Sequence, residues 1–528
     1  MDEKTYDDPE IARLVNDNFV PIRVDIDRRP DISERYNRGG FPTTAFLSDQ
    51  GESVWGGTYI PPADMKRVIG SILQARRSGE IDRALERGRM LYLDISKASQ
   101  ARNAITSDDL KDIFEDIFSG YDIEHGGFGI EPKFPHPEVL ELMMTMFTED
   151  NDPELGEAIK NTLERMTEGL YDKVEGGLFR YSVTRDWRTP HYEKILETNL
   201  GYLRNLVHAH AVIGAPQFKD LAEGVGIYLL TTLRDPRTGG FFGSQDADEE
   251  YYKLPAGDRK KRKAPSVDKT IYAGWNSEAV STMITAGKVL GHEEWVEAGL
   301  KAWRNLMATL WDHDRKLVRH MAGDELFLFE DQVSFLDALI PVFEATGDES
   351  ISGLGDELVK ALDREFTNED GGYSDVPRSD TEIGELGNPR RPLVGNSELA
   401  YALTVLGTMM HKDDLVEKAK TILLSFSRTE VDAHGLFGAP YLKARFTLEP
   451  GPITVDVHAP PDKFHGPLDL CTAARSLAHP AVIVTRTVDQ RAARPYAVIC
   501  SGEKCLPKIG DPAMIRDALA GLVADRRR

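Results

Sequence analysis

Between residues 126 and 437 the chain returns repeatedly to one short signal, a glycine pair followed by an aromatic residue or leucine, set between long stretches with helical spacing of apolar residues. The copies are Gly126-Gly127-Phe128, Gly176-Gly177-Leu178-Phe179, Gly239-Gly240-Phe241 and Gly371-Gly372-Tyr373, with a weaker one at His434-Gly435-Leu436-Phe437. WDHDRKLVR (311–319) fills the gap at a comparable interval. Glycine pairs interrupt a helix. Intervals of roughly fifty to seventy-five residues suit a helical hairpin plus loop as the repeating unit. Such a unit buries its apolar face only against its neighbours, so about six are expected to close into an (α/α)6 toroid whose loops gather at one mouth.

Polar clusters follow several of these loops and lead into the next helix. In PHYEKILETN (190–199), His191, Tyr192, Glu193 and Lys194 stand before an apolar helical run. Helix starts favour anions through free N–H groups and the positive dipole end. Glu193 and His191 are therefore the leading acid/base candidates, a carboxylate held ionised beside an imidazole that titrates near neutrality. The same residues would also serve as a plain polar cap. PKFPHP (132–137) offers Lys133 and His136, stiffened by prolines that favour an extended path. SQDADEE (244–250) offers Asp246 and Asp248, which could orient sugar hydroxyls or a cation but lack the spacing of a calcium loop. Trp275-Asn276, Glu330-Asp331 and Asn396-Ser397 each precede a helical stretch. Amides, carboxylates, imidazoles and rings in one cleft suit a carbohydrate, because rings stack on apolar sugar faces and the polar groups fix hydroxyls. The expected catalytic set is His191, Glu193, His136, Asp246, Asp248, Glu330 and Asp331. Lys133, Tyr192, Lys194, Trp275, Asn276 and Asn396 are the expected substrate contacts, and neither metal nor cofactor is expected.

The flanks read differently. Residues 9–73 give a short helix, an apolar strand FVPIRVDI (19–26), a polar helix (28–36), the proline-led strand of GGFPTTAFL (39–47), a turn at Asp49-Gln50-Gly51, a second strand (53–59) and a closing helix (63–73). That order is thioredoxin-like, and Phe41-Pro42 is the expected cis bond. Residues 80–110 read as a charged helical connector. Past residue 440, PITVDVHA (452–459), AVIVTRTV (481–488) and PYAVIC (495–500) are β-rich and alternate with helices near 468–477 and 512–523. The expected domains are thus a thioredoxin-like unit at 1–79, the toroid at 80–440 and a small α/β domain at 441–528.

At 528 residues more than one domain is expected. The net charge of −23 is spread along the chain, which argues against a nucleic-acid surface, and RKKRK (259–263) reads as a solvated loop. No apolar stretch is long enough to span a bilayer, and the acidic first residues carry no secretory pattern. Three cysteines make no disulfide framework, so a cytoplasmic protein is expected. Cys500 and Cys505, in CSGEKC, have no second pair at zinc spacing, leaving two plain thiols or a redox pair.

Taken together, DDPEIARLVNDNFVPIRVDIDRRPDI, GGFPTTAFL with GGTYIPP, GGFGIEPKFPHP, PHYEKIL, SQDAD, GWN, FEDQVSF and GNS resemble the spermatogenesis-associated protein 20-like family over nearly the whole chain. The resemblance implies an N-terminal thioredoxin-like domain and a helical domain similar to the six-hairpin glycosidase and N-acylglucosamine 2-epimerase toroids. Cys500 and Cys505 look like a pair common near the family's end. Family members carry a Cys-x-x-Cys motif upstream of the segment matching Thr5 to Pro9, just before this chain starts, so no dithiol chemistry is expected of this unit. The segment after SQDADEE is shorter than the insertion that relatives hold. The expected function is a carbohydrate-processing enzyme, a sugar isomerase or epimerase first and a glycoside hydrolase second. In the first, His191 with His136 moves a proton beside a sugar carbonyl; in the second, two of the carboxylates act as acid and base. The alternative is a non-catalytic thioredoxin-like module, either protein-binding, gripping a partner chain beside Pro42, or redox-associated, with the toroid as scaffold.

Overall fold

The computed structural model describes residues 1–88, 105–378, 383–463 and 469–527. It divides into two units, residues 1–103 with 374–390, and residues 104–373 with 391–528.

In the larger unit, six inner helices form a closed ring: Pro137–Asp150, Leu196–Ile213, Ala273–Leu290, Phe329–Thr346, Leu393–Met409 and Ala439–Leu448. Each packs on the next and the last returns to the first. Six outer helices back them in turn: Pro153–Leu170, Pro216–Tyr228, Glu293–Thr309, Ser350–Glu365, Asp413–Leu424 and, closing the ring from the front of the chain, Ser107–Ser119. Their sequences say why. LVGNSELAYALTVLGTM is apolar nearly all round because it is covered on both sides, whereas PELGEAIKNTLERMTEGL has one buried and one solvated face.

The glycine loops are pinned to the starts of the inner helices by a repeated device. Asn199, Asn276, Gln332 and Asn396 are each the fourth residue of an inner helix, and all four are fully buried. The side-chain oxygen of each accepts the N–H of the residue just past the loop, Leu178, Phe241, Val318 or Tyr373, at 2.7 Å. The amide nitrogen donates back to the carbonyl of that same residue at 2.7–3.1 Å. In the first loop the Thr162 hydroxyl accepts from Gly127 N–H at 2.9 Å. The glycines are needed: Gly177 has φ +79°, and a Cβ there would lie 2.6 Å from the Tyr228 ring. Asn276→Ala is expected to cost about 2 kcal/mol, because the buried Phe241 N–H and C=O lose their partner; urea denaturation checks it, and a loss near zero would mean the loop holds without its clamp.

The chain ends in a four-stranded sheet. Ile453–Ala459 lies between Val482–Val488, parallel to it, and Tyr496–Ser501, antiparallel to it, and Lys504–Cys505 forms the edge. Asp469–Arg475 and Pro512–Ala524 pack on the sheet around a core of their own. Cys500 and Cys505, cross-strand neighbours, are joined by a disulfide, and Cys471 is free and buried.

The smaller unit has helices Pro9–Asn18, Pro30–Tyr36 and Pro62–Arg77 and an antiparallel pair, Thr43–Leu47 with Ser53–Thr58, with Phe41-Pro42 in cis as expected. One expectation fails here. FVPIRVDI forms no strand, and Val20 and Ile22 are 85% and 80% exposed. A strand needs an edge to pair with, and among the described residues Thr43–Leu47 pairs only with Ser53–Thr58. Arg35, wholly buried, grips Asp375 through two nitrogens at 2.8 and 3.2 Å and donates to the Glu385 carbonyl at 2.8 Å, which fixes the 374–390 segment in this unit. Of the expected connector, residues 80–88 are helical and 89–104 lie outside the described residues. RKKRK is solvated apart from Arg259, which is buried and paired with Asp172 at 2.7 Å.

Candidate functional site

The inner helices all start on the side where the pinned loops gather, and their first turns carry carboxylates that act on one another. Glu138, Glu197 and Glu330 are second residues of their helices, and Glu278 and Glu398 are sixth. Arg204 joins three of the acidic groups of this channel. Its Nε lies 3.0 Å from Glu141, one Nη 3.2 Å from Glu278 and the other 3.7 Å from Glu138. Lys443 approaches Glu141 at 3.4 Å and stands 4.5 Å from the centre of the Tyr401 ring. Asp337 accepts the Ser281 hydroxyl at 3.0 Å.

This arrangement separates proton affinities. Enclosure, then the fields of Glu278, Glu138 and Glu330, push the Glu197 carboxyl up to about 8. Glu197 stays open to solvent, so water tempers the shift without reversing it. Burial and the same neighbours hold Glu398 well above the ordinary range, and Glu278 and Glu138 are raised as well. Burial would also raise Glu141, but Lys443 and Arg204 outweigh it and hold that carboxyl at about 2. One channel therefore presents proton-holding and ionised carboxylates together.

The rim holds the residues that the sequence singles out. His191 Nε2 lies 3.7 Å from Glu193, which Arg180 also grips at 2.9 Å. Burial alone would raise Glu193; His191 and Arg180 outweigh it and keep the carboxyl low. The His191 ring stacks on Tyr181 (4.9 Å), Tyr181 meets Phe134 (4.8 Å), and His136 lies between Phe134 (6.4 Å) and Phe437 (6.0 Å). Phe134 and Phe437 are 39% and 60% exposed, so this rim offers ring faces. His136, at φ +46° just before an inner helix, has its pKa lowered by burial.

Several expected contacts do other work. Lys133 is fully buried on Asp122 (2.6 Å), and Lys194 is fully buried on Asp172 (2.7 Å) and the Gly176 carbonyl (2.7 Å), so neither ammonium faces a substrate. Burial lowers Lys194 to about 8, with Asp172 opposing. Asn276 and Asn396 are the loop clamps described above. Asp331, 4% exposed, accepts Gly274 N–H (2.8 Å) and pairs with His320 (2.9 Å), joining two inner helices. Asp248 caps the short helix that follows it, and Asp246 is exposed and accepts from Ser266 (3.3 Å). Tyr192 packs between Phe179 and Tyr252, and Trp275 against Tyr272. Glu330 alone of the expected carboxylates acts within the channel cluster. Phe41 and Pro42 belong to the other unit. Among the described residues, no group of three or more His, Cys, Asp or Glu side chains is placed to hold a metal ion.

A ring of six inner and six outer helices is an (α/α)6 toroid, preceded here by a thioredoxin-like domain. Residues 1–79 match the thioredoxin-like family model described as "Protein of unknown function, DUF255". The chain is similar to spermatogenesis-associated protein 20 of Mus musculus, 31% identical over 274 residues that cover 47% of this chain and 34% of that protein. An uncharacterized protein of Caenorhabditis elegans is 28% identical over 269 residues, covering 47% of this chain and 37% of its own. The matched part is about a third of the length of these relatives. Among solved structures, cellobiose 2-epimerase from Bacillus thermoamylovorans B4167 superposes with a TM-score of 0.50 at 10% identity, over 60% of this chain and 85% of that one, a likeness of fold.

Proposed function

We propose that the larger unit is a carbohydrate-active enzyme working where the inner helices start, and that its reaction is glycoside hydrolysis. Glu197 donates a proton to the departing sugar oxygen. Glu330, exposed beside it, activates water, and ionised Glu141 favours the positive charge that develops on the ring. Phe134 and Phe437 offer faces for a sugar to stack on. The observation that carries this reading is the cluster of carboxylates near the starts of the inner helices, three of its acidic groups bridged by Arg204 at 3.0, 3.2 and 3.7 Å; within it Glu197 is pushed up and Glu141 held low, the pattern of an acid beside an ionised partner. Likeness of fold adds only an analogy.

Epimerisation is the second reading, favoured by His191 lying 3.7 Å from Glu193 on the open rim. One experiment separates the two. Reducing mono- and disaccharides are incubated with the protein in deuterated water and followed by NMR. Bond cleavage without deuterium uptake is the expected result. Uptake beside the carbonyl, lost in His191→Ala, would replace hydrolysis with proton-transfer chemistry, and silence at high protein concentration would sink both.

The smaller unit supports a binding role of its own. Phe41 and Tyr59, 53% and 63% exposed, flank Pro42, whose carbonyl accepts Tyr59 N–H at 3.2 Å. Specific protein capture by cross-linking at residues 39–44, without saccharide binding, would make that the leading role. Among the described residues no helix is long and apolar enough to cross a membrane.

A further inference from the structure

Arg204 and Glu141 also line a cavity of about 300 Å³. Its walls are inner-helix residues, among them Glu141, His208, Thr282, Asp337, Tyr401 and Lys443. The C-terminal domain supplies its base: Arg475, His479, Ile483 and Val484 line the same space. That base is anchored, since Arg475 pairs with Glu344, His479 pairs with Glu149 at 3.1 Å, and Ile483 packs with Val405 and Met409.

Two polar atoms on the cavity wall are buried without a protein partner, the Thr282 hydroxyl and His208 Nε2. Thr282 is only 2% exposed. A buried polar group left unpaired is costly, and natural structures rarely keep one without a use. Of the charged groups around the cavity, Arg204 and Lys443 pair with Glu141, Arg475 pairs with Glu344, and Asp337 accepts the Ser281 hydroxyl. What remains free is a hydroxyl and an imidazole, which burial keeps neutral by lowering it to about 4. That lining recognises an uncharged polyhydroxy molecule rather than an anion. The volume stands at the lower end of small-ligand pockets, roughly 300–1,000 Å³, which suits one sugar unit and not a threaded chain.

We propose that this cavity is a subsite for the terminal unit of a saccharide, floored by the C-terminal domain, so that the enzyme removes chain ends and does not cut within chains. The proposal rests on the carbohydrate reading above. The sugar enters past Arg204 and its hydroxyls meet Thr282 and His208. Specificity for the end unit is then set in part by a domain outside the toroid.

The test is ligand-observed NMR with glucose, mannose, galactose and their linear disaccharides on the full chain. Ile483→Trp, which fills the cavity from its floor, is expected to abolish binding, with Val484→Phe as the second variant should the first fail to fold. Thr282→Val is expected to weaken binding roughly three- to tenfold, the worth of one hydrogen bond. Its melting temperature should not fall, because the lost hydroxyl had no protein partner; a purely structural threonine would not combine these effects. Binding in both filled variants equal to that of the unaltered chain would place the sugar at the rim only, overturning the subsite while leaving the carbohydrate reading intact. If nothing in the panel binds or turns over, both fall. Should a linear oligosaccharide be cleaved, single end units are expected as first products, and a spread of lengths would overturn the end-trimming mode.

Discussion

Glu197→Gln lowers kcat roughly 100- to 10,000-fold, the usual worth of a positioned general acid. The melting temperature stays close to that of the unaltered chain, because the side chain is open to the channel and the amide keeps its shape. The pH profile carries the sharper signature. A proton donor works only while protonated, so turnover should fall as pH rises through the raised pKa of Glu197, and that alkaline limb should vanish from the residual activity of the variant. A substrate whose leaving group needs no proton should lose far less rate, since only the protonation step is damaged. Equal losses on both kinds of substrate, or retention of most activity, would remove Glu197 from the mechanism.

Arg204→Met costs about 3 kcal/mol at pH 7, the low end of the range for breaking a buried pair, because the guanidinium is 29% exposed. The loss has a defined pH dependence. Glu141 titrates at about 2 in the fold against an ordinary 4.5, so its contribution is complete above the ordinary value and drains away as pH falls through the folded one. The gap between variant and unaltered chain should therefore be wide at pH 7 and narrower at pH 4, as read by urea denaturation at both. A gap that does not narrow would show that the lost packing of the arginine stem matters more than its charge.

The toroid was legible in the sequence because its loops use a residue that little else explains. Glycines at φ between +70° and +86°, both members of three pairs and the first of the Gly239-Gly240 pair, report a backbone that other residues adopt only at a cost. Where the repeat departs, at Lys316 with φ +61°, the copy is harder to see, yet the interval still gave it away. Of the site proposed above, the sequence pointed to part. His191, Glu193 and His136 do gather at the rim, and Glu330 does act within the channel. The assignments of Asn276, Asn396, Lys133 and Lys194 failed because composition does not tell a side chain that fixes the fold from one that awaits a ligand. Glu197, Glu278, Glu398 and Arg204, which the proposed site adds, were passed over because a lone charge on a helix ordinarily means a solvated face. In helices apolar nearly all round it means a second, interior surface, and that contrast was present in LETNLGYLRNLVHAHAVI from the start. FVPIRVDI misled for the opposite reason, since apolar patterning states what a strand would like and not whether an edge is there to receive it.

The 374–390 segment sets how this protein can be divided. The chain passes between its two units three times, from the first to the second near 104, back at 374 and out again at 391. Asp375, held by Arg35, and Arg390, which donates to the Glu34 carbonyl at 2.7 Å, belong by sequence to the helical stretch and by packing to the front of the chain. A single cut cannot separate the two units, and a recombination event that exchanged only the front would strip that excursion of its hydrogen bonds.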